Sequence, residues 1–88
     1  MTDYTPIDCS DYDYLEIACM DRYEIEVTHV AGSLAGVADG LETRKGEEFL
    51  CVRTGAQVVE AIRVDRILGL RVLSDPARFR RHRFRSSA

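Results

Sequence analysis

The sequence predicts a mostly β fold: a small antiparallel β-barrel of about five strands, capped by an N-terminal α-helix. Three observations predict it. Helical periodicity occurs once, near the start of the chain. About five short apolar runs follow, separated by glycine-containing or polar turns, and the first of them alternates strictly. No helix is interleaved with these strands, which excludes a βαβ organisation. Closure of the sheet would also remove exposed edges in so small a domain. The chain has 88 residues, 45% of them hydrophobic, enough for one domain with a modest core. The domain is expected over 1–76, with 77–88 as an arginine-rich, disordered tail.

Residues 1–9 read as extended, because Pro6 restricts its own backbone and that of Thr5. Ser10 is a good helix cap, with Asp11 in the first turn, so a helix is expected from Asp11 to Asp21. At 100° per residue, Tyr12, Leu15, Ala18 and Cys19 share the face expected to be buried. Asp13, Glu16, Ile17 and Met20 occupy the opposite face. Tyr23 to Val30 alternates as a half-buried strand, and Ala31-Gly32-Ser33 turns the chain. Leu34 to Leu41 is a second strand, in which Gly36 and Gly40 suggest bends or bulges. After the polar loop Thr43 to Gly46, residues 48–54 are apolar on both faces in the middle, as in a central strand. Gly55-Ala56 connects to a strand over Gln57 to Val64. Asp65-Arg66 marks a bend before a last strand, Gly69 to Leu73, and Ser74-Asp75-Pro76 closes the domain.

Charge is distributed unevenly. The net charge is −3, yet six acids lie between Asp3 and Asp21 and no Lys or Arg precedes Arg22. Residues 1–76 hold all 15 acids and seven of the 12 basic residues, a balance of −8, whereas 77–88 hold five arginines and no acid. A domain at −8 repels polyanions, which disfavours direct nucleic-acid binding by the folded part. No apolar run is long enough for a membrane span, and the acidic start is unlike a secretory signal, so a cytoplasmic protein is expected.

Catalytic chemistry finds little support. The two histidines, His29 and His82, sit at a strand end and in the tail, and no glycine-rich phosphate loop precedes a helix. Cys9, Cys19 and Cys51 lack the paired spacing of a zinc site and read as reduced, mostly buried thiols. No cofactor and no metal are expected. What remains is the acidic helix, where two carboxylates beside exposed Ile17 and Met20 look like a contact patch for a basic protein. A solvated outer face is the plainer reading of the same residues. The tail is open to three readings: a contact to nucleic acid or another acidic surface, a solubilising extension, or an intramolecular partner of the helix.

The residues also support a family. Pro6 to Cys19 (Pro-Ile-Asp-Cys-Ser-Asp-Tyr-Asp-Tyr-Leu-Glu-Ile-Ala-Cys) resembles the opening signature of the bacterial Rho-binding antiterminator (Rof) family. Thr43 to Leu50 and Ile62 to Ile67 resemble later pieces of it, so the likeness spans roughly residues 4 to 73. The resemblance implies an Sm-like barrel with an N-terminal helix. It also implies a non-enzymatic inhibitor of Rho-dependent termination, a transcription-regulation protein that occupies the primary RNA-binding site of Rho and blocks RNA loading. Asp11, Tyr12, Asp13 and Glu16 then lie where the helix meets Rho, flanked by Ile17 and Met20, and Arg44 and Lys45 match a supporting basic loop pair. The arginine tail and Gly46 depart from the family pattern. The expected partner is Rho, with the chain itself a monomer. The competing readings are an Sm-like RNA-binding module using the barrel or the tail, and a ring-forming Sm-like structural protein.

Overall fold

The computed structural model describes residues 4–55 and 57–84. Helix α1 (Cys9–Met20) is followed by β1 (Glu24–His29), β2 (Gly32–Arg44), β3 (Glu47–Arg53), β4 (Val59–Arg63), a single 3-10 turn (Val64–Arg66), β5 (Ile67–Val72) and β6 (Arg81–Arg83). All pairings are antiparallel, in the order β4-β3-β2-β1-β5-β6. The mostly β class with one N-terminal helix is as the sequence predicts. Among the described residues the sheet has six strands rather than about five, and it is bent but not closed.

The helix starts two residues before the expected position. Asp8, as good a cap as Ser10, accepts from the Ser10 amide at 3.5 Å, and the Tyr12 amide closes the first turn on the Asp8 carbonyl at 3.0 Å. The other end is a Schellman stop. Arg22 takes a left-handed φ of 49°, its amide donates to the Cys19 carbonyl, and the Tyr23 amide donates to that of Ala18. Tyr23 is thereby turned into the core at the head of β1.

Strand β2 explains the bend. Residues 32–37 pair with β1 and residues 37–44 with β3, with an extra residue, Asp39, bulged between the Ala38 and Gly40 pairings. At Gly36 a Cβ would lie 2.4 Å from the Arg53 carbonyl oxygen and 2.8 Å from Val52, so the approach of β3 requires glycine. The two-residue Lys45-Gly46 loop, with φ of 51° and 82°, joins β2 to β3 in the turn type that matches strand twist. Strand β3 buries Leu50, Cys51 and Val52 in succession, as expected of a central strand. The β3–β4 connection closes when the Thr54 amide donates to the Val58 carbonyl; Ala56, expected in that connection, lies outside the described residues.

One core joins all the layers. Leu15 and Ala18 of α1 pack with Ile25, Val27, Leu50, Val52, Val64, Ile67, Leu70, Val72 and Phe84. Burying each large aliphatic side chain contributes about 1.5–3 kcal/mol. Residues 77–84 correct the expectation of a disordered tail. The chain turns back after Ser74, β6 pairs with the outer edge of β5, Phe84 is buried, and Phe79 packs against the same core. Two phenylalanines supply burial that a count of arginines conceals. Arg85 and the residues after it lie outside the described residues.

Candidate partner-binding helix

The sheet and the C-terminal segment hold α1 from beneath. Asp11, Leu15 and Ala18, spaced at four and three residues, form its inner face and are all fully buried. The Asp11 carboxylate lies 2.6 Å from His82 Nε2 on β6. Tyr14 stacks on the His82 ring at a centroid distance of 3.9 Å and meets Phe79 edge-on at 4.9 Å. Arg78 pairs with Asp21 at the far end of the helix, at 3.1 Å. The segment expected to be a tail is a brace for the helix.

Asp11, expected where the helix meets its partner, is placed on the inner face, fully buried against His82. Tyr12 is half-buried at the flank, and its hydroxyl donates to Glu48 Oε1 of β3 at 2.8 Å. Burial, and next the hydrogen bond to that carboxylate, push the Tyr12 phenol up to about 12. Ile17 is partly buried against the core, not fully presented. Cys19, half-buried, has its thiol pushed up to about 11, chiefly by burial and then by nearby Cys51. Cys9 is exposed, and Cys51 donates to Glu42 from inside the sheet. All three thiols are free.

The outer face retains Asp13, Glu16 and Met20. Both carboxylates are exposed, with no hydrogen bond or ion pair among the described residues, and Met20 is 71% exposed. Two unpaired acids and an apolar side chain thus lie at helical spacing on the outer face of a helix anchored beneath.

At the β2–β3 hairpin the basic pair divides. Arg44 is held within its own strand, donating to both oxygens of Glu42 at 2.7 and 3.2 Å, with its guanidinium over Phe49. That pairing pulls Glu42 below the usual carboxylate range. Lys45 at the tip is exposed. Gly46 takes a left-handed φ of 82°, which glycine adopts without strain. The Tyr12–Glu48 bond ties the helix to this same hairpin, since Glu48 pairs with Thr43 two residues before the turn.

Among the described residues no three His, Cys, Asp or Glu side chains are grouped to hold a metal. The Asp11–His82 pair lacks a nucleophile: Tyr14 covers the imidazole, and no hydroxyl or thiol among the described residues is bonded to it. Among the described residues no helix is long and apolar enough to cross a membrane.

The frame is a small bent sheet that braces an acidic helix, and comparisons with known proteins supply its class. Residues 6–84 match the family model described as Modulator of Rho-dependent transcription termination (ROF). The chain is 37% identical over 65 residues to Protein rof of Escherichia coli (strain K12), covering 73% of this chain and 76% of that one, with the same figures for Protein rof of Shigella flexneri. Its fold is similar to that of the solved structure titled YaeO bound to Magnesium from Vibrio cholerae O395, with a TM-score of 0.76, 24% identity, and coverage of 84% and 97% of the two chains. The chain belongs to the ROF family of modulators of Rho-dependent transcription termination. That membership makes it a regulator of termination, with Rho as the implied partner.

Proposed function

We propose that this chain inhibits Rho-dependent termination by placing the outer face of α1 on the basic primary RNA-binding site of Rho, where it excludes RNA. The observation that carries this reading is that Asp13 and Glu16 are exposed and unpaired on a helix whose inner face is fully anchored. A site that holds phosphates must present Lys and Arg, and fixed carboxylates can pair with the same groups. Exposed pairs contribute only about 0–1 kcal/mol each, so charge supplies steering and register. Met20 and the accessible edges of Ile17 and Tyr12 supply apolar contact, with Lys45 and Arg44 at the flank. The chain acts as a cytoplasmic monomer, with Asp11 as the internal support of the surface.

Rho pull-down with RNA competition tests this. Asp13→Lys combined with Glu16→Lys weakens Rho binding at least 10-fold and leaves the fold intact, because neither carboxylate has an internal partner among the described residues. Undiminished Rho binding by that variant would refute the helix reading. Wild-type binding falls steeply as salt rises.

A further inference from the structure

Strand β6 alternates across the sheet. His82 turns inward to Asp11 and sits opposite buried Leu70, so Arg81 and Arg83 project from the other face, away from α1. There Arg81 stands directly opposite Arg71 of β5, and Arg83 opposite Gly69. The missing side chain of Gly69 opens a groove of about 520 Å³, bordered on β1 by Glu26 and Thr28.

This row is not neutralised from within. Arg71 meets Glu26 at 2.8 Å, whereas Arg81 and Arg83 have no acid partner among the described residues. Neighbouring Arg78 and Arg80 do have partners, Asp21 and Asp75. Like charges directly opposite on adjacent strands repel. Three guanidinium groups with one carboxylate leave a positive row, which an anion laid along it would stabilise. The groove contains no aromatic ring other than the inward-facing His82, and none of the large exposed hydrophobic side chains. Its large apolar lining is Leu68 and the buried Leu70, so it lacks the aromatic anchors that centre a protein interface. Alternate residues of a strand stand about 6.8 Å apart, and guanidinium forks hold phosphate oxygens in pairs, so a chain of phosphates suits the row.

We propose that the Arg71, Arg81 and Arg83 row on the β1–β5–β6 face binds the phosphate backbone of single-stranded RNA. The balance of −8 over residues 1–76 does not describe the folded unit, because β6 belongs to it. Residues 4–84 hold 14 acids and 11 Lys or Arg, a balance of −3, with the acidic helix and the arginine row on opposite faces. Without rings to stack on bases, the contact is sequence-tolerant and modest in strength.

Fluorescence anisotropy of a labelled oligouridylate, titrated with the full chain, tests this. Two to three phosphate contacts at about −0.7 each in the log–log salt slope give a roughly 7- to 18-fold loss of affinity between about 50 and 200 mM salt. Arg81→Ala with Arg83→Ala weakens binding about 10-fold or more. Gly69→Glu does the same without altering β6, since a Cβ there meets only the His82 carbonyl oxygen at an ordinary 3.6 Å. Asp13→Lys with Glu16→Lys leaves oligouridylate binding intact or tighter, so this inference and the Rho reading fail separately. Three results overturn the proposal: no binding at low salt, wild-type affinity in a folded Gly69→Glu variant, or equal binding of an oligoglutamate peptide.

Discussion

The two faces of α1 carry the same chemical group in opposite settings. Asp11 points inward, fully buried, and meets His82 at 2.6 Å; Asp13, two residues on, points outward with no partner among the described residues. Both count equally toward the acidity of the N-terminal stretch, yet only one is available to another molecule. Strand β6 repeats the lesson with the opposite sign, since His82 braces the helix while Arg81 and Arg83 face away from it. Alternation, more than charge count, separates what supports the surface from what forms it.

The inner side should break first. Phe84 is 3% exposed, and Phe84→Ala removes a core ring that pins β6 to the sheet. A loss of about 3–5 kcal/mol is expected by urea denaturation, a large share of the roughly 5–15 kcal/mol of an ordinary domain. Rho binding by this variant falls in proportion to the fraction unfolded and is restored where the chain still folds.

The two aspartates sharpen the comparison at the next scale. Asp11→Ala strands His82 beneath Tyr14 and costs about 2–3 kcal/mol; His82 keeps some contact with solvent, so the loss falls short of that for a fully buried pair. Asp13→Ala changes stability by no more than about 0.5 kcal/mol, yet weakens Rho binding. Equal stability losses in the two variants, read as denaturation midpoints, would show that the faces are not distinct.

Much of this arrangement is legible in the chain. The alternation of β1 and the doubly apolar centre of β3 each give a strand, and Gly36 and Gly40 signal irregularity in β2, where the structure has a bulge at Asp39. The outer pair Asp13 and Glu16 follows from helical projection alone. What escaped the sequence depends on long-range partners. Asp11 looks like a first-turn carboxylate suited to the helix dipole, and nothing local reveals that a histidine 71 residues away takes it inside. The same separation hides β6: its arginines suggest disorder, while Phe79 and Phe84 find their burial only against an already folded sheet. Closure of the barrel was expected from strand count, but the pairings leave β4 and β6 as edges.

The smallest effect concerns the flank of the helix, where inner and outer faces meet at Tyr12. Its phenol is raised from 10 to about 12 by burial and by the bond to Glu48. Below pH 10 the group is protonated in the folded and the unfolded chain alike and adds no pH dependence. Between pH 10 and 12 the unfolded chain loses a proton that the folded one keeps, so stability falls as pH rises through that window. Cys19, raised from 9 to about 11, adds a loss of the same sign beginning near pH 9. Tyr12→Phe removes one hydrogen bond, costs about 1 kcal/mol near neutrality, and flattens the alkaline decline above pH 10 while leaving the part that begins near pH 9. A Tyr12→Phe variant whose alkaline decline matches the wild type would show that the helix is not tied to the β2–β3 hairpin through this hydroxyl.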